Sequence, residues 1–262
     1  MRITALTENT TLLDFPTEHG LSLYIETGEK MKILFDTGQS NLFVSNAEKL
    51  GIRIEDVDLM VLSHGHYDHG GGILRFLEMN DHAPVYISKE AFRPFFDERG
   101  RYIGLDPRIG KWMDTGDRLV LTEGTLDLGR GMTLYSPAGR IKKMEMGYAG
   151  LLMQQESRLV PDAFLHEQYL MIEEGSRRVL FSGCSHQGIL NIMDWFHPDV
   201  MVGGFHFMDM PLDETLKQYA LELNREPAEY YTCHCTGIDQ YRFIEKYMDR
   251  LRYLSEGMSI EI

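Results

Sequence analysis

An apolar, β-branched run, VDLMVLS (57–63), breaks off into HGHYDHGGG (64–72). The run reads as a short strand buried on both faces, as in a parallel sheet. Three histidines and an aspartate therefore fall where such a strand ends, the place at which open α/β sheets hold their ligands. The glycines that follow let the backbone stay close to whatever those side chains grip. A lone histidine among the 10 in this chain would be read as a surface or core residue, but the arrangement recurs. His186 follows VLFSGCS, His206 closes VMVGGF and His234 lies in YYTCHC, each at the C-terminal end of an expected strand. Brought to one rim, these ends would gather six histidines, Asp68 and Cys184 in a single cleft.

Around these ends the chain alternates strand and helix. RITALTE, LSLYIET and MKILFDTG are expected strands, the last two joined by a turn at Gly28 and so antiparallel. A helix is expected over SNLFVSNAEKLG, closed by Gly51, another near Ile73–Met79, and another after the strand PVYIS. Residues 97–117 read as irregular, 118–136 as short strands, and 150–155 and 168–173 as longer ones. Two similar mixed halves suit two sheets packed face to face with helices outside. No Pro/Ser/Gly-rich linker divides the chain, so residues 1–262 are expected to form one domain, and 43% hydrophobic residues supply its core. The start, MRITALTENTTLLDF, lacks a basic patch before a long apolar stretch, and no run approaches the roughly 18 apolar residues of a membrane span. A soluble, cytoplasmic protein without a membrane partner is expected. With 40 acidic and 26 basic residues the net charge is −14, which repels a phosphate backbone and disfavours nucleic acid as a partner. The 3 cysteines are too few and odd in number for a disulfide framework, and reduced thiols beside histidines invite a metal.

His64 and His66 are two apart, so in extended chain their rings share a side and can hold one ion. Asp68 and His69 lie past the turn, in reach of a second. Imidazole, carboxylate and thiolate all suit Zn²⁺. HGHYDH (64–69) resembles the H-x-H-x-D-H signature of the metallo-β-lactamase superfamily. The resemblance spans nearly the whole chain, with LFDTG at 34–38, FSGCSH at 181–186 and CHCTG at 233–237 in the family's order. It implies an α/β (α+β) four-layer αββα sandwich holding one or two divalent metal ions. Zinc is the first expectation, and manganese or iron are the alternatives. Within the superfamily, GCSHQGILN, GGFHF and CHCTG are most similar to synthases of 7,8-dihydropterin-6-methyl-4-(β-D-ribofuranosyl)aminobenzene 5′-phosphate.

The implied ligands are His64, His66, Asp68, His69, Cys184, His186 and His234, with Asp36 beneath the metals orienting a ligand histidine. Family members supply one histidine from upstream of the FSG strand end and an aspartate or cysteine at that end. Cys184 meets the second requirement. For the first, His166 lies near the place but at the start of FLHEQYLMI, with no glycine turn to aim it. His186 shares a side with Cys184 in extended chain and is preferred, with His166 as the alternative. His206 is expected to line the cleft without being an obligatory ligand, as a proton donor to a leaving group or a substrate contact. Cys233 and Cys235 flank His234, and alternation in an extended segment would turn both thiols away from it, as buried apolar residues.

FDTGQSNLFV (35–44) also resembles the active-site stretch of pepsin-like aspartic proteases, and a second D-T-G stands at Asp114–Gly116. That copy lacks the preceding apolar strand, and the chain is short for a two-lobed fold. GLDPRIGK (104–111) fails as a phosphate loop, having five residues between its glycines and Trp112 after the lysine. The expected function is a dinuclear metal-dependent hydrolase of a small ester, lactone or phosphoester, working through a metal-bound hydroxide. The alternative is a transferase that joins a dihydropterin pyrophosphate to an aminobenzene ribofuranosyl phosphate, in which case the small-molecule partner is phosphorylated. A non-catalytic metal-binding protein stands third. Nothing in the sequence bears on oligomeric state.

Overall fold

A computed structural model describes residues 1–113, 118–146 and 150–262. The chain opens as an antiparallel meander, β1 (Arg2–Thr7), β2 (Ser22–Glu26) and β3 (Lys32–Phe35), to which β4 (Leu59–Val61) and β5 (Val85–Ser88) add in parallel. After the short β6 (Phe95–Phe96), β7 (Leu119–Thr122) pairs parallel to β5. The second half begins with two hairpins, β8 (Thr125–Gly129) with β9 (Met132–Tyr135) and β10 (Leu152–Gln155) with β11 (Arg158–Pro161). Then come β12 (Tyr169–Glu174), β13 (Arg177–Ser182), β14 (Val200–Gly203), β15 (Glu229–Thr232) and β16 (Leu251–Tyr253). Finally β17 (Ser259–Glu261) returns to β1. The two large sheets run β17-β1-β2-β3-β4-β5-β7 and β16-β15-β14-β13-β12-β9-β8, and β11-β10-β6 form a small third one.

Each half thus passes from antiparallel to parallel strands, and the parallel ones are apolar on both faces. Alternation sends Ile33, Phe35, Leu59 and Val61 of the first sheet inward against Val179, Phe181, Val200 and Val202 of the second. The Phe35 and Phe181 ring centroids lie 5.9 Å apart across that core. Leu34 and Met60 point outward under the helices α1 (Leu42–Lys49) and α3 (Ile73–Met79). Between those helices, α2 (Tyr67–Gly70) is one turn at the rim. On the other side Leu180 and Met201 are covered by α4 (Ile189–Phe196), α5 (Glu214–Arg225) and α6 (Ile238–Ile244). Three apolar layers between four structural ones make the αββα sandwich. None of the helices among the described residues is long and apolar enough to cross a membrane.

Two local expectations differ. The helix expected after PVYIS is a single 3₁₀ turn, Lys89–Phe92, opened by the Ser88 hydroxyl accepting from Glu90 N–H. Pro94 stops it, and Phe95–Phe96 pair with β10 instead. The irregular stretch 97–117 contains a 3₁₀ segment, Pro107–Met113, while the second D-T-G at Asp114–Gly116 lies outside the described residues.

The C-terminal segment is fastened to the end of β1 by Glu256, fully buried, which accepts from Glu8 N–H at 2.9 Å and from the Asn46 amide. Burial pushes this carboxyl up to about 8. A raised folded-state pKa gives a contribution that is full below the ordinary carboxylate range and lost as pH rises through the folded value. The urea midpoint should therefore fall from about pH 5 to about pH 8, and the fall should flatten in Glu256→Gln. An unchanged slope in that variant would disprove the assignment.

Candidate metal centre

Every expected site residue sits just beyond a strand on one rim of the sandwich. His64, His66, Asp68 and His69 follow β4, and Cys184, His186, His206 and His234 follow the adjacent parallel strands β13, β14 and β15. The two sheets approach closely here: a Cβ on Gly183 would collide with Ser63 Oγ, so only glycine lets the second sheet's loop reach the first sheet's histidines. Asp36, Ser185, His206 and His234 all have positive φ, between 49° and 62°. Strained backbone of this kind gathers at sites where side chains must be aimed.

The hydrogen bonds fix which nitrogens carry protons. Asp36, fully buried, accepts from Ser63 N–H at 2.6 Å, from the Ser63 hydroxyl at 2.7 Å and from His69 Nδ1 at 2.7 Å. His69 therefore carries its proton on Nδ1 and turns the Nε2 lone pair to the cleft. The Ser63 hydroxyl, spent on Asp36, can only accept from His64 Nδ1 at 2.8 Å, which leaves His64 Nε2 as a lone pair as well. Neither that Nε2 nor His66 Nε2 has a hydrogen-bond partner among the described residues, although both are buried. His69 Nε2 lies 3.2 Å from His234 Nε2 and 3.2 Å from Cys184 Sγ.

Donor atoms of His64, His66 and His186 lie within 4.8 Å of one another, as do those of His64, His69 and Cys184 and those of Cys184, His186 and His206. Burial pushes His64 and His186 well below the usual imidazole range and His66 down to about 3, with neighbouring histidines adding to it. Burial opposes ionisation of Asp68, yet His69, His19 and His234 outweigh it and hold its carboxyl well below the usual range. Neutral imidazoles converging by their lone pairs, beside a carboxylate and a thiol, are an incomplete arrangement that a divalent cation completes. The donor set fits such ions.

His166 is placed otherwise. Its Nδ1 accepts from Gly65 N–H at 2.9 Å, so Nε2 carries the proton and donates to Asp162 Oδ2 at 3.0 Å. Both nitrogens are occupied in holding the HGH loop, whereas His186 faces the cluster. Cys233 is core, as expected, but the segment after it is not extended. A 3₁₀ turn over His234–Thr236 brings Cys235 Sγ within 4.8 Å of the donor atoms of Cys184 and His234. Alternation fails there because a turn, not a strand, carries His234.

Four contributors had no signal in the histidine pattern. His19, on the loop after β1, puts Nε2 3.2 Å from Asp68 Oδ2. Glu8 accepts from His234 N–H at 2.5 Å, and Asn9 Oδ1 lies 2.8 Å from His234 Nδ1. Glu167 accepts from His186 N–H at 2.6 Å and Gln187 N–H at 3.0 Å. The cleft above holds about 230 Å³ and is lined by Tyr67, Asp97, Arg101 and Met208 besides the cluster. Through Asp97, Arg101, Leu151, His206 and Asp209 it continues into an outer pocket of about 650 Å³.

Residues 16–234 match the Metallo-beta-lactamase superfamily. The chain belongs to the metallo-β-lactamase superfamily. The superfamily typically binds metal ions, and here His66 and Asp68 of the H-x-H-x-D-H motif line the cleft together with Cys184, His186, His206 and His234 of the second half. The solved structure of Tm1679, a metal-dependent hydrolase of the beta-lactamase superfamily, is 29% identical and superposes with a TM-score of 0.82, covering 100% of this chain and 99% of that one. An uncharacterized protein of Methanocaldococcus jannaschii is 29% identical over 90% of each chain. A 7,8-dihydropterin-6-methyl-4-(beta-D-ribofuranosyl)-aminobenzene-5′-phosphate synthase of the same organism is 26% identical over 94% of this chain and 91% of its own.

Counting bound metal checks the ligand choice. His186→Ala is expected to lower the metal bound per chain, whereas His166→Ala leaves it unchanged and lowers thermal stability. The reverse result would exchange the two roles. Asp36→Asn should weaken metal binding about 10- to 100-fold by loosening His69, as read by chelator competition.

Proposed function

We propose that the protein is a dinuclear metal-dependent hydrolase of a small ester, lactone or phosphoester. The observation that carries this reading is the convergence of the buried Nε2 atoms of His64, His66 and His69 beneath an open cleft, with those of His64 and His69 left as lone pairs by their hydrogen bonds. His64, His66 and His186 would hold one ion and Asp68, His69 and His234 the other, with Cys184, and Cys235 behind it, between the two groups. Dications held there, zinc first among them, would acidify a water and polarise a carbonyl or phosphoryl oxygen. The chain's own residues do the rest. Asp36 holds His69 in one orientation, and Glu167 holds the main chain of His186. His206, beside His186 with ring centroids 4.3 Å apart, faces the outer pocket and delivers a proton from its imidazole to the leaving group. Arg101, held by Asp97 at 3.0 Å, offers its guanidinium to a polar or anionic substituent. The likeness to Tm1679, a metal-dependent hydrolase of the beta-lactamase superfamily, supports this reading. With a net charge of −14, the substrate is a small molecule rather than a nucleic acid.

A second reading rests on the similarity to the M. jannaschii synthase along nearly the whole chain. There the same residues would serve condensation of an aromatic amine with a dihydropterin pyrophosphate.

Zinc-loaded protein should cleave members of an ester, lactone and phosphoester panel and lose activity to EDTA. His206→Ala should keep full metal content and turn over about 100-fold more slowly. Incubation with a dihydropterin pyrophosphate, with and without an aminobenzoate-type amine, separates the readings: product that forms only with the amine overturns hydrolysis. Stoichiometric metal binding with every substrate silent would favour a non-catalytic metal-binding protein.

A further inference from the structure

Past the end of β1, Asn9 reaches two histidines at once. Its Oδ1 lies 2.8 Å from His234 Nδ1 and 3.2 Å from Gly20 N, and its Nδ2 lies 3.2 Å from His19 Nδ1. The orientation of an amide is often ambiguous, but here Gly20 decides it. A main-chain N–H can only donate, so the side of the amide facing Gly20 is the oxygen. His234 Nδ1, facing the same oxygen, must then carry a proton, and His234 Nε2 is left as a lone pair 3.2 Å from His69 Nε2. His19 Nδ1, facing the NH₂ group, must be the lone pair. Its proton is on Nε2, 3.2 Å from Asp68 Oδ2.

We propose that Asn9 is a positioning residue that sets opposite tautomers on His19 and His234. His234 thereby offers a lone pair to a cation, while His19 is no ligand and instead donates Nε2–H to Asp68. The proposal rests on the metal reading above for its purpose, though not for its hydrogen bonds. It separates two residues that distance alone would group, since donor atoms of His19, Asp68 and His234 lie within 4.8 Å of one another. The acceptor, Asp68 Oδ2, also faces His234 Nε2 at 3.5 Å and His69 Nε2 at 4.0 Å, so His19 holds the oxygen that shares the cleft with both ligand histidines. The side chain of His19 is 43% exposed and lines the cleft, so this donor sits beside arriving substrate.

The neighbouring Glu8 completes the support. Fully buried, it accepts from His234 N–H at 2.5 Å, from the Tyr253 hydroxyl at 2.7 Å and from Thr10 N–H at 2.6 Å. Glu8 thus fixes the main chain of His234 while Asn9 fixes its ring.

Two substitutions separate the parts of the amide. Asn9→Asp keeps an acceptor for His234 and Gly20 but replaces the donor that faces His19. Asn9→Ala removes both. In long-range proton–nitrogen correlation spectra of the zinc-loaded protein with isotope-labelled histidine, His19 should show an unprotonated Nδ1 and a protonated Nε2. His19→Gln identifies its signals. In Asn9→Asp, His19 Nδ1 should gain a proton while Nε2 keeps its proton toward Asp68, and zinc affinity, measured by chelator competition, should hold. In Asn9→Ala zinc affinity should fall about 10- to 100-fold. Circular dichroism confirms that both variants fold. A protonated His19 Nδ1 in the unsubstituted protein, or Asn9→Ala with unaltered tautomers and zinc affinity, overturns the proposal. If the unsubstituted protein takes up no zinc, the metal reading fails, and the same spectra still decide the tautomers.

Discussion

The Asp36 carboxylate accepts from Ser63 N–H, the Ser63 hydroxyl and His69 Nδ1, and these bonds set the proton pattern of the first half of the site. Because the hydroxyl is spent on Asp36, it can only accept from His64. One buried anion therefore determines that two imidazoles turn lone pairs, rather than N–H groups, to the cleft. It also ties the end of β3 to the residues after β4, so the position of the cluster and its protonation have one cause. Asp36 reaches all three donors from a backbone at φ 62°, and the bonds it makes offset what that conformation costs.

Buried glutamates do for the main chain what Asp36 does for side chains. Glu8 and Glu167 each accept the backbone N–H of a cleft histidine, His234 and His186 respectively. An ionisable group is expensive to bury unless its oxygens are satisfied, and each of these is bonded through both oxygens. The turns that aim the second half's histidines are thus held by carboxylates distant in sequence, one just past β1 and one just before β12.

Much of this was legible in the sequence because it depends on local pattern. The apolar run before His64, and the runs before Cys184, His206 and His234, are strands, and their C-terminal ends meet on one rim. Phe35, Val61, Phe181 and Val202 alternate inward as a buried parallel strand requires. What escaped depends on tertiary contact or on turn geometry. His234 begins a 3₁₀ turn, so alternation could not place Cys235. Glu8 reads as the last residue of a strand, and Asn9 as ordinary loop, until the fold brings β15 beside them. His19 follows no parallel strand, so the rule that found the other histidines had nothing to say of it. His166 and His186 could be separated only by their partners: Gly65 and Asp162 occupy both nitrogens of the former. Asp213, which caps α5 by accepting from Thr215 and Leu216, is a local signal in plain view, and the strand-centred reading passes over it.

The cluster straddles the seam between the two sheets, with His64, His66, Asp68 and His69 on one side and Cys184, His186 and His234 on the other. In the assignment proposed above, each ion would take donors from both halves. A cation that engages both sets binds the docked state and not its separated parts, so by mass action it adds RT ln(1 + [L]/Kd) to the free energy of holding the halves together. An ion present at about a hundred times its dissociation constant would contribute about 2.7 kcal/mol, a sizeable share of the 5–15 kcal/mol or so by which ordinary domains are stable. The rim would in that sense act as a clasp, and removing metal would weaken the sandwich whatever chemistry the cleft performs.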